Sequence, residues 1–563
     1  MSTAPDLIVT GGVVPEIGPA AGLDATRTQG RPSTVAVRDG LITAVGSDEL
    51  LDSAGPATRV IDAQGGAILP GLNDGHLHFA ASATARHLLL PLGAAGTWDA
   101  VKAALNTARP GADGWIRAHG WDETVHGPVP ANALLDAAPD HPAVAYDQTG
   151  HQLLVNAAGL RALGLTGVAR SVDGGVTGAL PDGGYSGHFA DAAMALVNGG
   201  LPPLPTHALR QALLTHQAEL HALGLTSYTE PGLGPGGDSL LGGTCGTPTL
   251  EALVDLAASG ELSLRATVLL LFNGTGGANA ADTRRGLEEG LHRLALERGV
   301  HPERLNIAGV KVFADGTPRS GTAWMSTAYE SPCGHGCGHL AIAGTTNEER
   351  ETQLGLIIDA VHAAGLQAGV HATGDAATLA LVGAVERAQS RAPRDARHYV
   401  IHGAFPDHHA LARLHAAGMG YSTNPAIRAG AGALMRSLLG QERFDAQQPL
   451  ARSLSLGLRP NIASDAPVTT PDWRSSVTAA VTRNTSAGPG EGDPERLSLA
   501  QALFLMTEAP AWQDHAERRK GAVRPGLLAD LTVLSEPLPR DVSRLAALPA
   551  THTVVGGRLV HQL

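Results

Sequence analysis

The chain has 563 residues, of which 43% are hydrophobic and 17% charged, and a formal net charge of −13. This size and balance indicate a globular protein with more than one folding unit and exclude a wholly disordered chain. The negative charge argues against nucleic acid or an anionic membrane as the main partner, so we expect a small-molecule substrate.

The start of the chain lacks a basic segment followed by an apolar one, so no secretory signal is predicted. No uncharged apolar run reaches the roughly 20 residues that a membrane helix needs. Three cysteines, an odd number, suit a reducing compartment better than a disulfide framework. We therefore expect a cytoplasmic protein, with a homodimer as one option for its oligomeric state.

Short β-like pieces separated by turn residues begin and end the chain. They lie at 7–10, 34–37, 41–45 and 59–63, and again at 531–534 and 553–560. The two terminal parts, 1–66 and 521–563, are predicted to pair into one small β-sandwich domain.

Residues 67–520 alternate strand-like apolar runs with amphipathic helical stretches, a pattern typical of a parallel sheet with crossover helices. One predicted helix spans 349–364 and is followed by Gly365, a residue suited to the position after a helix. Eight runs have strand character: 67–72, 225–230, 264–272, 306–314, 366–371, 398–402, 419–423 and 460–464. They predict a (β/α)8 TIM-like barrel, an α/β fold whose chemistry lies at the carboxyl ends of the strands.

The connection between the first and second predicted strands is too long for a single helix. It contains further strand-like runs and many glycines before a helical stretch that starts near residue 207. We interpret about 100–205 as an inserted subdomain that caps the mouth of the barrel.

Polar residues of the metal-ligand type stand at or just beyond the ends of five predicted strands. They are His76, His78, Lys311, His371, His402 and Asp465. Such residues at the same end of successive barrel strands would meet in one place, and imidazole with carboxylate suits zinc or a similar first-row divalent ion.

Lys311 is the unusual member of this set. Lys and Arg total 40, but only three are lysine, so 37 are arginine. A charged amine buried beside a cation is unfavourable through desolvation and like-charge repulsion. Lys311 is therefore a neutral amine, a lysine carbamylated by CO₂ that acts as an anionic ligand, or a structural lysine paired with Asp315.

The ordered set of the two histidines at 76 and 78, Lys311, His371, His402 and Asp465 resembles the ligand set of the amidohydrolase superfamily with a two-metal centre. Further stretches are similar to its exoenzyme-regulatory-like and N-substituted-formamide-deformylase-like branch. They are Gly-Trp-Asp-Glu at 120–123, Lys-Val-Phe-Ala-Asp-Gly at 311–316, Arg-Ser-Gly-Thr-Ala at 319–323, His-Ala-Thr-Gly-Asp at 371–375, Ser-Asp-Ala-Pro-Val at 464–468 and Pro-Gly-Leu-Leu-Ala-Asp-Leu at 525–531.

The resemblance implies two divalent ions, zinc before manganese or iron. It places one ion on His76 and His78, the other on His371 and His402, and a carboxylated Lys311 between them. Asp465 would bind a metal and shuttle the proton. Two cations that share a water produce hydroxide near neutral pH and polarise the scissile carbonyl, so no Ser or Cys nucleophile is needed.

Five further residues are predicted to contact substrate: Trp121, His151, Glu230, Arg319 and Arg428. The loop from Cys333 to His339 is dense in soft ligands and is either a second metal site or a substrate-facing loop.

We interpret the chain as a hydrolase of a non-peptide C–N bond in an N-acyl, N-formyl or cyclic amide. A deaminase of an aminated ring or imine that uses one metal, a lactone or ester hydrolase, and a non-catalytic binding barrel remain as alternatives.

Overall fold

The computed structural model describes residues 4–20, 30–172, 175–239, 241–330 and 336–563. Within these ranges the strands, β1 to β22, are Leu7–Val14, Arg31–Arg38, Leu41–Gly46, Arg59–Asp62, Ile68–Pro70, Leu72–Asp74, Leu90–Pro91, Ile116–Trp121, Ala143–Asp147, Gln152–Val155, Gly175–Ala179, Tyr185–Asp191, Leu225–Leu233, Arg265–Leu271, Leu305–Phe313, Gln367–Ala372, Tyr399–His402, Gly420–Thr423, Pro460–Ile462, Leu531–Leu534, Ala550–Val555 and Arg558–Gln562. The helices, α1 to α17, are Phe79–His87, Trp98–Thr107, Glu123–His126, Ala157–Ala162, Ala195–Asn198, Thr206–Ala222, Thr247–Ala258, Ala280–Glu289, Leu294–Glu297, Asn347–Ala363, Asp375–Arg391, His408–Ala416, Pro425–Asp445, Leu450–Ser455, Trp473–Thr482, Leu499–Phe504 and Glu508–Gln513.

Eight parallel strands form a nearly closed barrel, which confirms the predicted (β/α)8 architecture. The sheet runs in the order β6, β13, β14, β15, β16, β17, β18 and β19. The first and last of these strands approach each other at their carboxyl ends, where the Asp465 N–H donates to the His76 carbonyl at 2.9 Å. Leu269 on β14 packs with Tyr399 and Ile401 on β17. Because two strands separate β14 from β17, this contact lies inside the barrel, as expected for a packed core.

The predicted first barrel strand, 67–72, is wrong in one respect, because it is two strands. β5 pairs antiparallel with β20 in a terminal sheet, whereas β6 pairs with β13 in the barrel. The chain changes sheets at Gly71, whose N–H donates to the Asp530 carbonyl at 2.7 Å. A Cβ at Gly71 would lie 2.2 Å from Thr226 Oγ1, so a side chain there would force the two strands apart.

The two ends of the chain form a β-sandwich, as the sequence predicted. One four-stranded sheet has the order β3-β2-β1-β4, and the other has the order β22-β21-β20-β5. Apolar side chains from both sheets share one core, composed of Leu7, Val9, Val35, Val37, Ile42, Ile61, Ala63, Ile68, Ala529, Leu531, Val533 and Val554. The sandwich thus joins residues from the first seventy positions to the last forty.

Helix α10 covers the predicted helix 349–364 and begins two residues earlier. A capping box starts it: the Glu349 N–H donates to Thr346 Oγ1 at 3.2 Å, and the Thr346 N–H donates to Glu349 Oε2 at 3.3 Å. Gly365 follows the helix with φ of +77°, the left-handed conformation that glycine adopts without strain.

The segment of the chain between α1 and α6 forms a six-stranded sheet, with the strand order β11-β12-β10-β9-β8-β7. It begins at β7, before the predicted start of the insertion at about 100. Its own core packs around Trp121, Ile116 and Leu154. The Gln148 side chain donates to the Pro467 carbonyl of the barrel at 2.6 Å, so the sheet is fastened next to the carboxyl end of β19.

No helix in the described ranges is both long and apolar enough to cross a membrane.

Candidate metal centre

Three predicted ligands meet where the first and eighth barrel strands end. His76 and His78 follow β6, with ring centroids 5.1 Å apart. Asp465 follows β19, and its Oδ1 lies 3.1 Å from His76 Nε2 and 3.4 Å from His78 Nε2. The sequence separates these residues by almost four hundred positions, and the barrel brings them into contact.

Two further imidazoles stand beside them. The ring of His402, at the end of β17, is 5.4 Å from that of His76 and 4.6 Å from that of His371 on β16. Each ring is oriented by a hydrogen bond on its far side. His402 Nδ1 donates to Asn424 Oδ1 at 2.7 Å, and His371 Nε2 donates to the Gly316 carbonyl at 3.1 Å. His402 Nε2 and His371 Nδ1 therefore remain available as ligands.

The side chain of Lys311, on β15, lines the same space. A cavity of about 50 Å³ is lined by Lys311 together with His78, His371, His402 and Asp465. The Nζ of Lys311 lies 4.6 Å from the centroid of the Phe313 ring. Burial lowers the pKa of Lys311 to about 7, against the opposing effect of the Asp465 carboxylate. A large fraction of this amine is thus neutral near pH 7.

The donor atoms fit a divalent cation. His76 is fully buried, and neither of its ring nitrogens has a hydrogen-bond partner among the described residues, although Nε2 is close to Asp465. One ligand atom from each of His76, His402 and Asp465 lies within 4.8 Å of the others. Buried imidazole nitrogens without partners are costly unless something binds them, and a first-row divalent ion prefers this nitrogen and oxygen set.

Burial by itself would raise the pKa of Asp465, but the imidazoles of His402, His76 and His78 hold it well below its usual range. The carboxylate is therefore ionised at neutral pH. Asp465 and His402 also have positive φ angles, +56° and +70°. Left-handed backbone at residues other than glycine is uncommon and clusters at functional sites.

Glu230, predicted to contact substrate, lies behind His78 instead. It is fully buried, its Oε2 accepts the Ala80 N–H at 3.0 Å, and its Oε1 is 4.0 Å from His78 Nδ1. Burial raises its pKa to about 8. Glu230 lines neither cavity, so its predicted contact with substrate is corrected.

A larger cavity of about 310 Å³ opens above the centre and shares His371, His402 and Asp465 with the inner cavity. Its lining residues come from the insertion, from the loop after β15 and from α13. They include Asp122, Gln148, Thr149, His151, Pro318, Arg319, Phe405, Ile427, Arg428, Met435 and Val468. Three predicted substrate residues, His151, Arg319 and Arg428, thus line the space next to the metal ligands.

The three differ in how they are held. His151 Nδ1 lies 3.0 Å from Asp191 Oδ1, and its ring centroid is 5.8 Å from that of His371. Burial opposes protonation of His151, but Asp191 and Asp147 raise its pKa above the ordinary value. Arg319 donates to Asp122 Oδ1 at 3.0 Å.

Arg428 is buried on α13, where it donates to the Arg483 carbonyl at 3.2 Å and stacks 5.0 Å over the Phe444 ring. Its Nε has no hydrogen-bond partner among the described residues, so the protein uses only part of the donor capacity of Arg428.

The prediction for Trp121 is wrong. Its side chain is completely buried in the core of the insertion, and its Nε1–H donates to the Ala145 carbonyl at 2.9 Å. It lines neither cavity. In the loop from Cys333 to His339, Cys333 and His335 lie outside the described residues.

Two supporting residues escaped sequence analysis: Asn424 and Asp191 orient His402 and His151. Asp315, considered from the sequence only as a partner of Lys311, instead accepts N–H groups from Thr373, Gly374 and Trp324 at 2.9, 2.8 and 3.0 Å. Asp191 stands in an insertion without a recognisable motif, so no sequence signal marks it. Asn424 and Asp315 each follow a predicted strand, and this position was the only indication of their role in the sequence.

The amidohydrolase family model matches residues 59–561. The protein YtcJ of Bacillus subtilis (strain 168) is 27% identical over 550 residues, which cover 94% of this chain and 96% of that protein. N-substituted formamide deformylase of Arthrobacter pascens is 24% identical over 546 residues, covering 94% of each chain.

Among solved structures, a metal-dependent hydrolase from Pyrococcus horikoshii OT3 superimposes with a TM-score of 0.71 at 19% identity, covering 95% of this chain and 98% of that one. At this identity the likeness shows the fold alone. The family match extends over nearly the whole chain, and the metal-ligand residues converge at the carboxyl ends of the barrel strands. The chain belongs to the amidohydrolase family.

Proposed function

We propose that the protein is a metal-dependent hydrolase of a non-peptide C–N bond in an N-acyl, N-formyl or cyclic amide. The observation that carries this proposal is the meeting of four imidazoles, one lysine and one carboxylate at the floor of a cavity. The similarity to a formamide deformylase over nearly the whole chain supports an amide as the substrate.

The ligand set would hold two ions. His76 and His78 would hold one, His371 and His402 the other, with Lys311 as a bridging ligand and Asp465 at the side of the first pair. Zinc suits imidazole with oxygen donors best, and manganese or iron could replace it. When bound, such ions lower the pKa of a water molecule and polarise the substrate carbonyl.

Lys311 is prepared for carbamylation. Its partly neutral amine can add to CO₂, with loss of one proton, to give an anionic carbamate. This reaction replaces a buried positive charge by a negative one, which removes the repulsion between the lysine and bound cations. The carbamate thus accounts for a lysine at this position in a chain that has 37 arginines and only two other lysines.

Asp465 would move the proton. Its carboxylate is ionised, lies at the edge shared by both cavities, and is fixed by its backbone hydrogen bond to His76. It accepts the proton that the attacking water loses and passes it to the leaving nitrogen, which is far more basic. The low pKa of Asp465 favours this second transfer.

The outer cavity limits the substrate to a small molecule. Its volume of about 310 Å³ is at the lower end of the range for small-molecule sites, about 300–1,000 Å³. Its wall is largely apolar on α13, whereas Gln148, Thr149 and Arg319 provide polar groups on the opposite side. We therefore expect an amide with one apolar substituent.

A deaminase that uses one ion is the second candidate. It is favoured by one observation: one ligand atom from each of His76, His402 and Asp465 lies within 4.8 Å of the others, close enough to share one ion. Lys311 would then have no metal role. A lactone or ester hydrolase would use the same residues as the amidohydrolase and differs only in substrate.

Metal content and a substrate panel separate these functions. The purified full chain would be stripped with a chelator, reloaded with zinc or manganese, and assayed on N-acyl, N-formyl and cyclic amides and on lactones, with ammonia release followed separately. We expect metal-dependent amide hydrolysis, and we expect Lys311→Ala to bind one ion fewer and to lose turnover. A Lys311→Ala variant that stays fully active and releases ammonia would favour the deaminase instead.

A further inference from the structure

A second cluster of metal-ligand side chains lies outside the barrel centre, between α1 and α6. His87 is the last residue of α1, and His216 and Glu219 are one turn apart on α6. Glu219 Oε2 lies 3.0 Å from His216 Nδ1 and 3.3 Å from His87 Nε2. One ligand atom from each of the three lies within 4.8 Å of the others.

These separations match the spacing of ligands around zinc. Metal–ligand bonds of about 2.0–2.2 Å in a tetrahedron place neighbouring ligand atoms roughly 3.3–3.6 Å apart. The two imidazole-to-carboxylate distances in the cluster, 3.3 and 3.0 Å, lie at and just below the lower end of that range. Two imidazoles and one carboxylate are also a typical protein contribution to a zinc site with one open position.

The cluster is largely shielded from water. The side chain of His216 is only 2% exposed, that of His87 is 20% exposed, and that of Glu219 is 33% exposed. Among the described residues, neither His87 Nε2 nor His216 Nε2 has a hydrogen-bond partner. His87 Nε2 is the nitrogen that faces Glu219, so a buried donor atom is directed into the cluster without being satisfied there.

One cation competes for the same oxygen. Arg86 Nε lies 2.8 Å from Glu219 Oε2, but the Arg86 side chain is 63% exposed. An exposed ion pair of this kind contributes little to stability, because water screens it. Arg86 can therefore turn into solvent, or move to the second carboxylate oxygen, when a divalent cation binds.

The cluster is connected to the barrel centre by one aromatic contact. The His216 ring stacks on Phe79, with centroids 5.6 Å apart and an interplanar angle of 27°. Phe79 is the residue after His78, which we assign to the barrel centre. An ion that fixes His216 would thus steady the start of α1 behind that ligand.

We propose that His87, His216 and Glu219 form an additional binding site for a first-row divalent cation such as Zn²⁺. The ion would join α1 to α6, the helices that precede and follow the insertion. The site has three protein ligands and is reached from the surface past Arg86. It is separate from the proposed barrel centre and does not depend on the reaction assigned to it.

The test is the number of zinc ions bound by the intact chain. Chelator-stripped protein would be dialysed against buffered Zn²⁺ and its zinc content measured for the parent, His87→Ala, Glu219→Gln and the control His207→Ala, which removes an exposed imidazole from the same helix. We expect the first two variants to bind one ion fewer than the parent and the control to bind the same number. Zinc should also raise the melting temperature less in His87→Ala than in the control.

Equal zinc content in the parent, His87→Ala and Glu219→Gln would overturn the proposal. If His87→Ala fails to fold, Glu219→Gln decides alone, because the partly exposed glutamate can be replaced without opening the core. Substitution of Co²⁺ for zinc provides a second readout: the difference spectrum between parent and variant should show the visible bands of a cobalt ion with nitrogen ligands, and its absence would refute the site.

Discussion

Replacement of Asp465 by asparagine tests the proton shuttle directly. The amide keeps the volume of the side chain and an oxygen near the two imidazole nitrogens at 3.1 and 3.4 Å, but it cannot accept a proton at any working pH. General acid–base catalysis contributes about 10²–10⁴-fold. At 1.36 kcal/mol for each tenfold change, the loss corresponds to a barrier about 2.7–5.5 kcal/mol higher.

The assay compares kcat and bound metal in the same preparations. We expect Asp465→Asn to retain most of its metal and lose kcat by at least about 100-fold, with little change in KM. Asp472→Asn is a matched control, since Asp472 caps α15 through its contact with the Arg474 N–H and lines neither cavity. If Asp465→Asn with full metal content kept a kcat within a few-fold of the parent, the shuttle role would be refuted.

Three further changes test other parts of the structure. Glu230→Gln should weaken metal binding about 10–100-fold, because it replaces the buried carboxyl group next to His78; unchanged affinity in a chelator competition would contradict a role for Glu230 in supporting His78. Trp121→Ala should lower the free energy of unfolding by about 3–5 kcal/mol while kcat stays within a few-fold, and a large loss of kcat with unchanged stability would return Trp121 to the active site. His221 is buried, and burial lowers its pKa to about 4 against about 6.5 in the unfolded chain. Because the unfolded chain binds the proton first, stability is lost as the pH falls from 6.5 toward 4, by about 2 kcal/mol between pH 7 and 5. In His221→Gln the urea concentration at the unfolding midpoint should therefore depend less on pH over this range. The same pH dependence in the parent and the variant would exclude the linkage.

Most of the fold could be predicted because the barrel strands are short apolar runs, five of which end at or just before a polar residue of the metal-ligand type. The exception, 67–72, shows what periodicity omits. A run that is apolar throughout gives no sign of a change of sheet, and only the contacts of Gly71 with Asp530 and Thr226 reveal it. The order of strands in the insertion was equally beyond reach, since β8 pairs with β9 and β10 pairs with β12 across longer intervening segments.

The candidate site, like the fold, could be predicted only in part from the sequence. Residues at strand ends were predictable because the barrel brings all these ends together, as His402 and Asp465 illustrate. Trp121 was predicted to contact substrate because it belongs to the insertion over the barrel mouth, yet its indole fills a core that the sequence does not define. Side chains that act through another residue, such as Asp191, depend on contacts between distant segments and carry no local pattern.

Strand β18 contributes no residue to the metal-ligand set, but the helix that follows it, α13, forms one wall of the outer cavity. The insertion and the loop after β15 form the other. Under the proposed function, substrate recognition and bond cleavage would thus be encoded in different segments of the chain. After gene duplication, descendants of this protein could acquire new substrates through changes in these two walls while the hydrolytic apparatus stayed intact.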